Sequence, residues 1–502
     1  MPNSENQPQR PDANAESGEY LTKIRLSRPT SGEISEQPGR APARIGPGRR
    51  RLARAREPDT ASRLQTPQVL TIGFAGIILL GTLLLKLPAA SASGQAIGWM
   101  DAFFTATSAV TVTGLGVRTT ATDFTRFGQV VILVLLQIGG VGFIAFSVLL
   151  FRLIGRRVTL SERVVIQQSL GARRTGGVVN LALYILGVTL SIEAVGTLLL
   201  WLRWRTEFPD GEALWLALFH AISSYCNAGF DLFSGTDYPP LFGFGTDYYT
   251  LAVMAGLILL GGFGVAVLYD LATSFNDRML ALNTRMTLTL TLALTVSGVA
   301  LMLLDSRLYS SVLAGLSFGE QLAVSIFSII SARTAGLTIL PLDQLSQSTQ
   351  LVLLIWMFIG GAPASMAGGV TSSTVGVLLI SALTTARGHD SAVAFGRAVP
   401  RETINKAVAI MTVSTLLVAV VTIILSLMNQ GEIFPLGFEV VSAFSNTGYS
   451  LNFTSNLDNW GRALIAFTMF WGRLGPLTLV VALAYREQPT LLRYPEEPVI
   501  LG

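Results

Sequence analysis

The sequence predicts an all-α integral membrane protein with eight transmembrane helices, and three observations lead to this fold class. Half of the 502 residues are apolar, only 13 % are charged, and the mean hydropathy is +0.54. A soluble globular protein carries about 25 % charged residues, so half of the expected charge is missing. Eight apolar stretches are long enough to cross a bilayer as helices, and a short element rich in small residues recurs four times between them.

The chain begins with a basic segment, residues 1–66, that is rich in Pro, Gly, Ser and Arg and predicts a disordered cytoplasmic tail. It contains 12 Lys or Arg against 8 Asp or Glu, whereas the rest of the chain is electrically balanced. The run Arg49-Arg50-Arg51 is typical of a topology signal that also attracts anionic lipid, and a specific partner site is the alternative. Because the excess charge belongs to this tail, we expect no nucleic-acid partner.

Apolar stretches of about 20 residues or more predict the membrane spans. Between the two spans of each successive pair lies a shorter piece that cannot cross. Such a piece predicts a re-entrant half-helix followed by irregular backbone, which is tolerated at membrane depth only in protein or beside water. We place the spans near 68–86, 127–151, 178–201, 249–272, 286–304, 348–384, 404–428 and 459–485, and the short pieces near 100–114, 212–229, 318–336 and 435–448.

Positive charge in the loops predicts the topology. The loops 152–177, 273–285 and 386–406 together contain 12 Lys or Arg, whereas 87–99 and 231–248 contain none. Cytoplasmic loops carry the excess of basic residues. We therefore expect a multi-pass protein with both termini in the cytoplasm.

One element ends each of the four short pieces: small or hydroxyl residues, then a glycine, then a large apolar residue. The glycines are spaced by 115, 107 and 112 residues. Nearly equal spacings at the same place between two spans predict an internal fourfold repeat. The endings are Thr111-Val112-Thr113-Gly114-Leu115, Cys226-Asn227-Ala228-Gly229-Phe230, Arg333-Thr334-Ala335-Gly336-Leu337 and Ser445-Asn446-Thr447-Gly448-Tyr449.

Four such endings around one axis would form a pore. A cation that crosses a membrane exchanges water for oxygen ligands, and rings of backbone carbonyls supply these without fixed charge. Glycine reaches the dihedral angles that point carbonyls inward. The alternative is that the glycines only allow close helix packing, but four loops in register favour four covalently linked span–pore loop–span repeats around one central pore.

These four endings, each between two spans, resemble the TrkH/KtrB/HKT superfamily of potassium transporters from about residue 68 onward, and most of all its bacterial KtrB branch. The resemblance implies that carbonyls up to Gly114, Gly229, Gly336 and Gly448 line a potassium filter. In this superfamily a serine at the first glycine accompanies a preference for sodium, so glycine at 114 implies a preference for potassium. Sodium as an activator stays open, and no bound cofactor is expected.

A glycine-rich break and an intramembrane arginine predict a gate. The sixth span is interrupted by Gly360-Gly361-Ala362-Pro363-Ala364-Ser365-Met366-Ala367-Gly368-Gly369, which a helix cannot cross. Arg473 lies inside the last span, where a charge is costly and should face a cavity or a carboxylate. The family carries both features, which implies a movable loop with Arg473 as its barrier or latch. A packed kink and a purely structural ion pair are the alternatives.

The short pieces also contain one carboxylate each: Asp101, Glu212, Glu320 and Glu439. At the start of a helix a carboxylate stabilises the dipole, so we expect capping for all but Glu439. That residue lies deep enough in its piece to suggest a buried partner.

An enzyme is not expected, because GxxxxGK[ST] and HExxH are absent and one cysteine with two histidines leaves little for a metal site. Without a nucleotide domain, control would come from another subunit, and the resemblance implies a homodimer on a cytosolic RCK-type, KtrA-like nucleotide-binding ring. A sodium- or proton-coupled carrier is the alternative, but it predicts broken helices in both halves. We divide the chain into the tail 1–66 and repeats 67–157, 158–277, 278–390 and 391–502.

Overall fold

The computed structural model describes residues 66–141, 178–236, 247–277, 280–309, 312–389, 391–428 and 432–475, which all lie in one compact unit, Arg63–Gly502. Residues 1–65, the basic loop 152–177 and the C-terminal residues 476–502 lie outside the described residues. The predictions for the tail, for that loop and for the end of the last span therefore remain predictions.

The described residues are mostly helical, with one two-stranded hairpin at residues 393–398, between the sixth and seventh predicted spans. Four of the helices fall at the predicted half-helices: Trp99–Thr111, Asp210–Tyr225, Phe318–Ala332 and Ile433–Ser445. The helices are α1 Thr66–Leu85, α2 Trp99–Thr111, α3 Thr120–Asp123, α4 Arg126–Val141, α5 Val178–Trp204, α6 Asp210–Tyr225, α7 Tyr248–Asp277, α8 Leu282–Leu308, α9 Phe318–Ala332, α10 Gln347–Phe358, α11 Ser372–Ala386, α12 Arg401–Met428, α13 Ile433–Ser445 and α14 Asn459–Leu474, and the strands are β1 Val393–Ala394 and β2 Arg397–Ala398.

The order of contacts between helices closes on itself. Helix α4 packs against α6, α7 against α9, α10 against α13, and α14 returns to α2. Each long helix that follows a half-helix therefore contacts the next half-helix along the chain, and the last contacts the first. This arrangement places the four half-helices around one centre.

Outward-facing apolar side chains indicate a lipid-facing surface. On α1, Ile72, Leu79, Leu80 and Leu83 are all more than half exposed, and Leu427 on α12 is 80 % exposed. Apolar surface of this extent marks a membrane or partner surface. Among the described residues, four helices are long and apolar enough to cross a bilayer: Ala182–Trp204, Tyr248–Ser274, Leu282–Leu308 and Arg401–Met428. The apolar parts of α1, α4, α10 and α11 are shorter, so eight spans remain a prediction.

Two long predicted spans are interrupted. The stretch 348–384 is divided into α10 and α11 by residues 359–371, as the glycine-rich segment predicts. The prediction of an unbroken span over 249–272 is wrong, because Gly264 inside α7 has φ 69° and ψ 162°. A Cβ at Gly264 would lie 2.8 Å from the Cα of Ser365, so this kink makes room for the segment that divides α10 from α11.

Candidate functional site

The four recurring glycines meet in a closed ring. At each of them, a Cβ atom would collide with the carbonyl oxygen of the residue that precedes the glycine of the next repeat. The pairs are Gly114 with Ala228 (2.5 Å), Gly229 with Ala335 (2.7 Å), Gly336 with Thr447, and Gly448 with Thr113. The last pair joins the fourth loop to the first, so backbone from all four loops surrounds one point.

The ring requires glycine for a second reason. All four glycines have φ between 68° and 95°, a region that costs other L-residues about 1–2 kcal/mol. In each loop the residue before the glycine donates its amide back to a serine carbonyl of the half-helix, at 2.8–3.0 Å, while its own carbonyl lies against the neighbouring glycine. The serines are Ser108, Ser223, Ser331 and Ser442.

Side chains join the loops in pairs. Asn446 donates its amide to the hydroxyl of Thr113 at 2.8 Å and to the carbonyl of Met469 at 2.9 Å, which connects the fourth loop to the first. The amide of Asn227 lies 2.9 Å from the hydroxyl of Thr334, which connects the second loop to the third. Both asparagines have positive φ, a conformation that Asn tolerates better than most residues.

Two members of the predicted filter endings direct their side chains away from the ring. The guanidinium of Arg333 is buried and donates to the carbonyl of Gly360 at 3.1 Å. The thiol of Cys226 is buried beside Gln137 and Glu193. These two side chains therefore support the loops from behind, while their backbone remains part of the endings.

The segment between α10 and α11 lies directly against the ring elements. Ala362 and Met366 donate their amides to the carbonyls of Gly262 and Gly261 in α7, at 2.9 and 3.2 Å. Its ends are held together, because the amide of Gly360 donates to Val370 at 2.8 Å. A Cβ at Gly368 would collide with the amide oxygen of Asn446, and one at Gly369 would lie 3.0 Å from the Cα of Ser445.

The hydroxyl residues at the start of α11 satisfy part of the broken backbone. Ser372 donates both its amide and its hydroxyl to the carbonyl of Gly361, at 2.8 and 3.0 Å. Thr371 accepts a hydrogen bond from the amide of Thr374 and caps the helix. Ser373 instead donates to Asn283 on α8.

Arg473 connects this segment to the first repeat. Its guanidinium donates to the carbonyl of Met366 and to those of Gly139 and Gly140 on α4, the last at 3.2 Å. Where a cavity or a carboxylate was expected, the partners of Arg473 among the described residues are three backbone carbonyls. One cation thus joins α14, the segment 359–371 and α4.

Comparisons with known proteins show the family of this chain. The family model for TrkH, described as "Cation transport protein", matches residues 44–494. The chain belongs to the TrkH family. It is 36 % identical to the Ktr system potassium uptake protein B of Bacillus subtilis, over 88 % of this chain and 97 % of that protein. It is 34 % identical to the potassium/sodium uptake protein NtpJ of Enterococcus hirae, over 88 % of this chain and 98 % of that protein.

A solved structure also resembles the fold of this TrkH family member. The crystal structure of the potassium transporter TrkH from Vibrio parahaemolyticus matches with a TM-score of 0.67 at 18 % identity, and covers 87 % of this chain and 88 % of that one. The family consists of membrane cation transporters rather than enzymes. Resemblance to the superfamily is therefore confirmed.

The half-helix carboxylates have different roles. Glu320 forms a capping box with Ser317, as predicted. Ser317 also stands in a GxSxG sequence, but its hydroxyl is used in this cap. Asp101 lies in the first turn of α2, where a carboxylate stabilises the helix dipole as predicted, and its carboxylate also accepts hydrogen bonds from Arg118 at 2.9 Å and Arg462 at 2.8 Å. Glu439 is 1 % exposed and has buried partners, as expected. No metal-binding cluster of His, Cys, Asp or Glu occurs in the described part of the chain.

Sequence reasoning missed a second set of glycines, on the long helices that follow three of the half-helices. A Cβ at Gly139, Gly261 or Gly472 would collide with the backbone carbonyl of Val110, Tyr225 or Phe444, respectively. Each of these carbonyls belongs to the residue four positions before the ring glycine. The pairs Gly139-Gly140 and Gly261-Gly262 each follow a filter ending in the sequence. This recurrence was the signal that could have identified these glycines as contacts of the half-helices.

Proposed function

We propose that the chain is the potassium-translocating membrane subunit of a Ktr-type uptake system, and that K⁺ passes through the ring formed at Gly114, Gly229, Gly336 and Gly448. The observation that carries this proposal is the cyclic contact of each glycine with a carbonyl oxygen of the next loop. The names of the two relatives, a potassium and a potassium/sodium uptake protein, support the choice of ion.

The chemistry is the exchange of water for backbone oxygen. Carbonyls of the four endings would replace the hydration shell of K⁺ without binding it as tightly as a fixed charge would. Each ending contributes only a few residues before its glycine, so the filter is short. We expect its selectivity to be looser than that of a long, uniform filter.

The segment 359–371 is the proposed gate. It hydrogen-bonds to α7, packs against the end of the fourth loop and receives a hydrogen bond from Arg473. Residues Gly360, Gly361, Ala362, Pro363, Ala364, Ser365, Gly368 and Gly369 would move aside for the ion. Arg473 would hold the closed position and repel cations beneath the ring.

Control by a cytosolic partner completes the proposal. We expect a homodimer in the bacterial plasma membrane, with both termini in the cytoplasm, on an RCK-type nucleotide-binding ring. The sequence contains no phosphate-binding loop of the GxxxxGK[ST] type, which supports a separate regulatory subunit.

One observation favours a second candidate, a sodium- or proton-coupled carrier. The kink at Gly264 provides a second broken helix, in the other half of the chain from residues 359–371. A carrier also needs an ionisable group within the membrane, and Glu193 is buried in α5, where it accepts a hydrogen bond from Gln137 at 2.9 Å. The closed ring of glycines favours the channel-like mechanism.

Rubidium uptake tests the proposal. The chain is reconstituted in potassium-loaded liposomes, with and without the cytosolic ring of a Ktr system, and external K⁺ or Na⁺ competes with the tracer. Inhibition by K⁺ at concentrations where Na⁺ has no effect supports a potassium filter. Absence of uptake in both preparations contradicts it, and uptake that requires a sodium or proton gradient supports the carrier instead.

A further inference from the structure

Two half-helices carry a polar residue the same number of positions before their ring glycine. His220 on α6 lies nine residues before Gly229, and Glu439 on α13 lies nine residues before Gly448. Both are buried, with 0 % and 1 % of their surface exposed. Their repeats, the second and the fourth, are opposite each other in the ring order.

Glu439 binds the chain that leaves the ring in the fourth repeat. Its carboxylate accepts hydrogen bonds from the hydroxyl of Ser450 and, at 2.9 Å, from that of Thr454. No ion pair of Glu439 occurs among the described residues, and its hydrogen-bond donors there are the hydroxyls of Ser450 and Thr454. A buried carboxylate without these donors would be costly.

His220 makes the equivalent contact in the second repeat. Its Nε2 accepts the amide of Leu232 at 3.3 Å, and its Nδ1 lies 2.7 Å from the carbonyl of Leu216. Because Nε2 accepts, Nδ1 carries the proton and donates to Leu216. The ring of His220 stacks on Phe233 at 4.6 Å between centroids, so it fixes both the backbone and a side chain of the segment after Gly229.

The other two repeats lack this contact. The residue nine positions before Gly114 is Thr105, whose buried hydroxyl has no partner within the described chain. The corresponding residue before Gly336 is the apolar Phe327. The exit segment of the third repeat is held by Ser331, whose hydroxyl donates to the carbonyl of Leu337 at 2.8 Å, a contact that Ser223 makes with Phe230 in the second repeat in addition to that of His220. The polar contact at this position is therefore restricted to two opposite loops.

We infer that Glu439 and His220 are positioning residues that hold the exit segments of two opposite filter loops and thereby determine how strongly the ring prefers K⁺ over Na⁺. This inference rests on the proposed function. The carbonyl of each ring glycine is covalently connected to its exit segment, and Glu439 acts only two residues beyond Gly448, through Ser450. A loosened exit segment lets the carbonyls approach a smaller ion, and the difference between K⁺ and Na⁺ coordination is lost.

The test compares Glu439→Gln with Glu320→Gln, which makes the same chemical change at the partly exposed start of another half-helix. Glutamine keeps the size of the side chain but replaces one accepting oxygen with a donor that faces other donors. The measured quantity is the selectivity ratio, the Na⁺ concentration that half-inhibits rubidium uptake divided by the K⁺ concentration that does so. For Glu439→Gln we expect this ratio to fall about fivefold. We expect Glu320→Gln to keep the ratio of the unmodified protein.

A second pair of variants tests the inference at His220, so the test remains valid even if the Glu439→Gln protein does not fold. His220→Gln retains an acceptor that reaches the amide of Leu232, whereas His220→Asn is too short. We expect a normal ratio for the former and a decreased ratio for the latter.

Unchanged ratios in Glu439→Gln and His220→Asn, with normal uptake and thermal stability, would overturn the inference. A similar fall in Glu320→Gln would also overturn it. An unmodified protein without any preference for K⁺ would instead contradict the proposed function, so the two failures are distinguishable.

Discussion

Replacement of Arg473 by methionine should open the pathway in the absence of any cytosolic partner. Methionine replaces the aliphatic part of the arginine side chain but has neither charge nor donors. The guanidinium makes three hydrogen bonds to carbonyls, but those to Gly139 and Gly140 join two helices. Only the bond to Met366 joins the helix to the proposed gate, so this bond alone changes when the gate moves.

The expected increase in the ratio of open to closed protein follows from the hydrogen bond between Arg473 and Met366. A hydrogen bond from a charged group contributes about 1.5–3 kcal/mol, and each 1.4 kcal/mol is a factor of about ten in an equilibrium constant. The ratio of open to closed protein should therefore rise roughly 10- to 100-fold. If few molecules are open before the change, the initial rate of rubidium uptake into proteoliposomes rises by the same factor.

Arg462→Met is the matched control. Arg462 lies on the same helix, α14, but its guanidinium binds Asp101 and the carbonyl of Ser455 rather than the gate segment. We expect its uptake rate to stay within about twofold of the unmodified rate, which corresponds to less than 0.5 kcal/mol. An Arg473→Met protein that is folded but takes up rubidium no faster than the Arg462→Met protein would refute the assignment of Arg473 as a latch.

Two further predictions concern Gly448 in the ring and Asp101 on α2. Gly448→Ala should decrease rubidium uptake at least about tenfold, because its Cβ would collide with a carbonyl of the first loop and the residue has a φ of 95°. Gly256→Ala is the control, because the space beside Gly256 is open, and it should keep the uptake rate. Equal losses of uptake in the two variants would contradict the ring. Asp101→Asn weakens the pairs with Arg118 and Arg462 and should decrease the free energy of unfolding by about 1–2 kcal/mol. The thermal midpoint measures this loss, and an unchanged midpoint would show that these pairs contribute little.

The half-helices could be predicted from the sequence because their signal is local. The piece placed near 100–114 is a helix over Trp99–Thr111, and the piece near 435–448 is a helix over Ile433–Ser445. In both cases the helix ends a few residues before the ring glycine, where the chain turns through a residue with positive φ, Val112 or Asn446. The small-residue endings were enough to locate the half-helices, but not the exact residue at which each helix ends.

Features that depend on distant contacts could not be predicted. The kink at Gly264 is compatible with an ordinary apolar helix until Ala364 and Ser365, a hundred residues later, occupy the space beside it. The arginine partners of Asp101 were missed for the same reason. Arg462 approaches Asp101 only because the last helix returns to the first half-helix, which no local pattern records.

The most direct test of the central claim is the ion preference of Gly114→Ser. A Cβ at this position would lie 2.5 Å from the carbonyl oxygen of Ala228 and 2.9 Å from the Cα of Gly229, so serine must displace the second loop from the ring. Rubidium uptake is measured in proteoliposomes with K⁺ and Na⁺ as competitors. If the four glycine loops select the ion, Gly114→Ser decreases rubidium uptake, and Na⁺ competes almost as well as K⁺ for the uptake that remains. Uptake that K⁺ still inhibits as selectively as in the unmodified protein would contradict the claim that this ring is the filter.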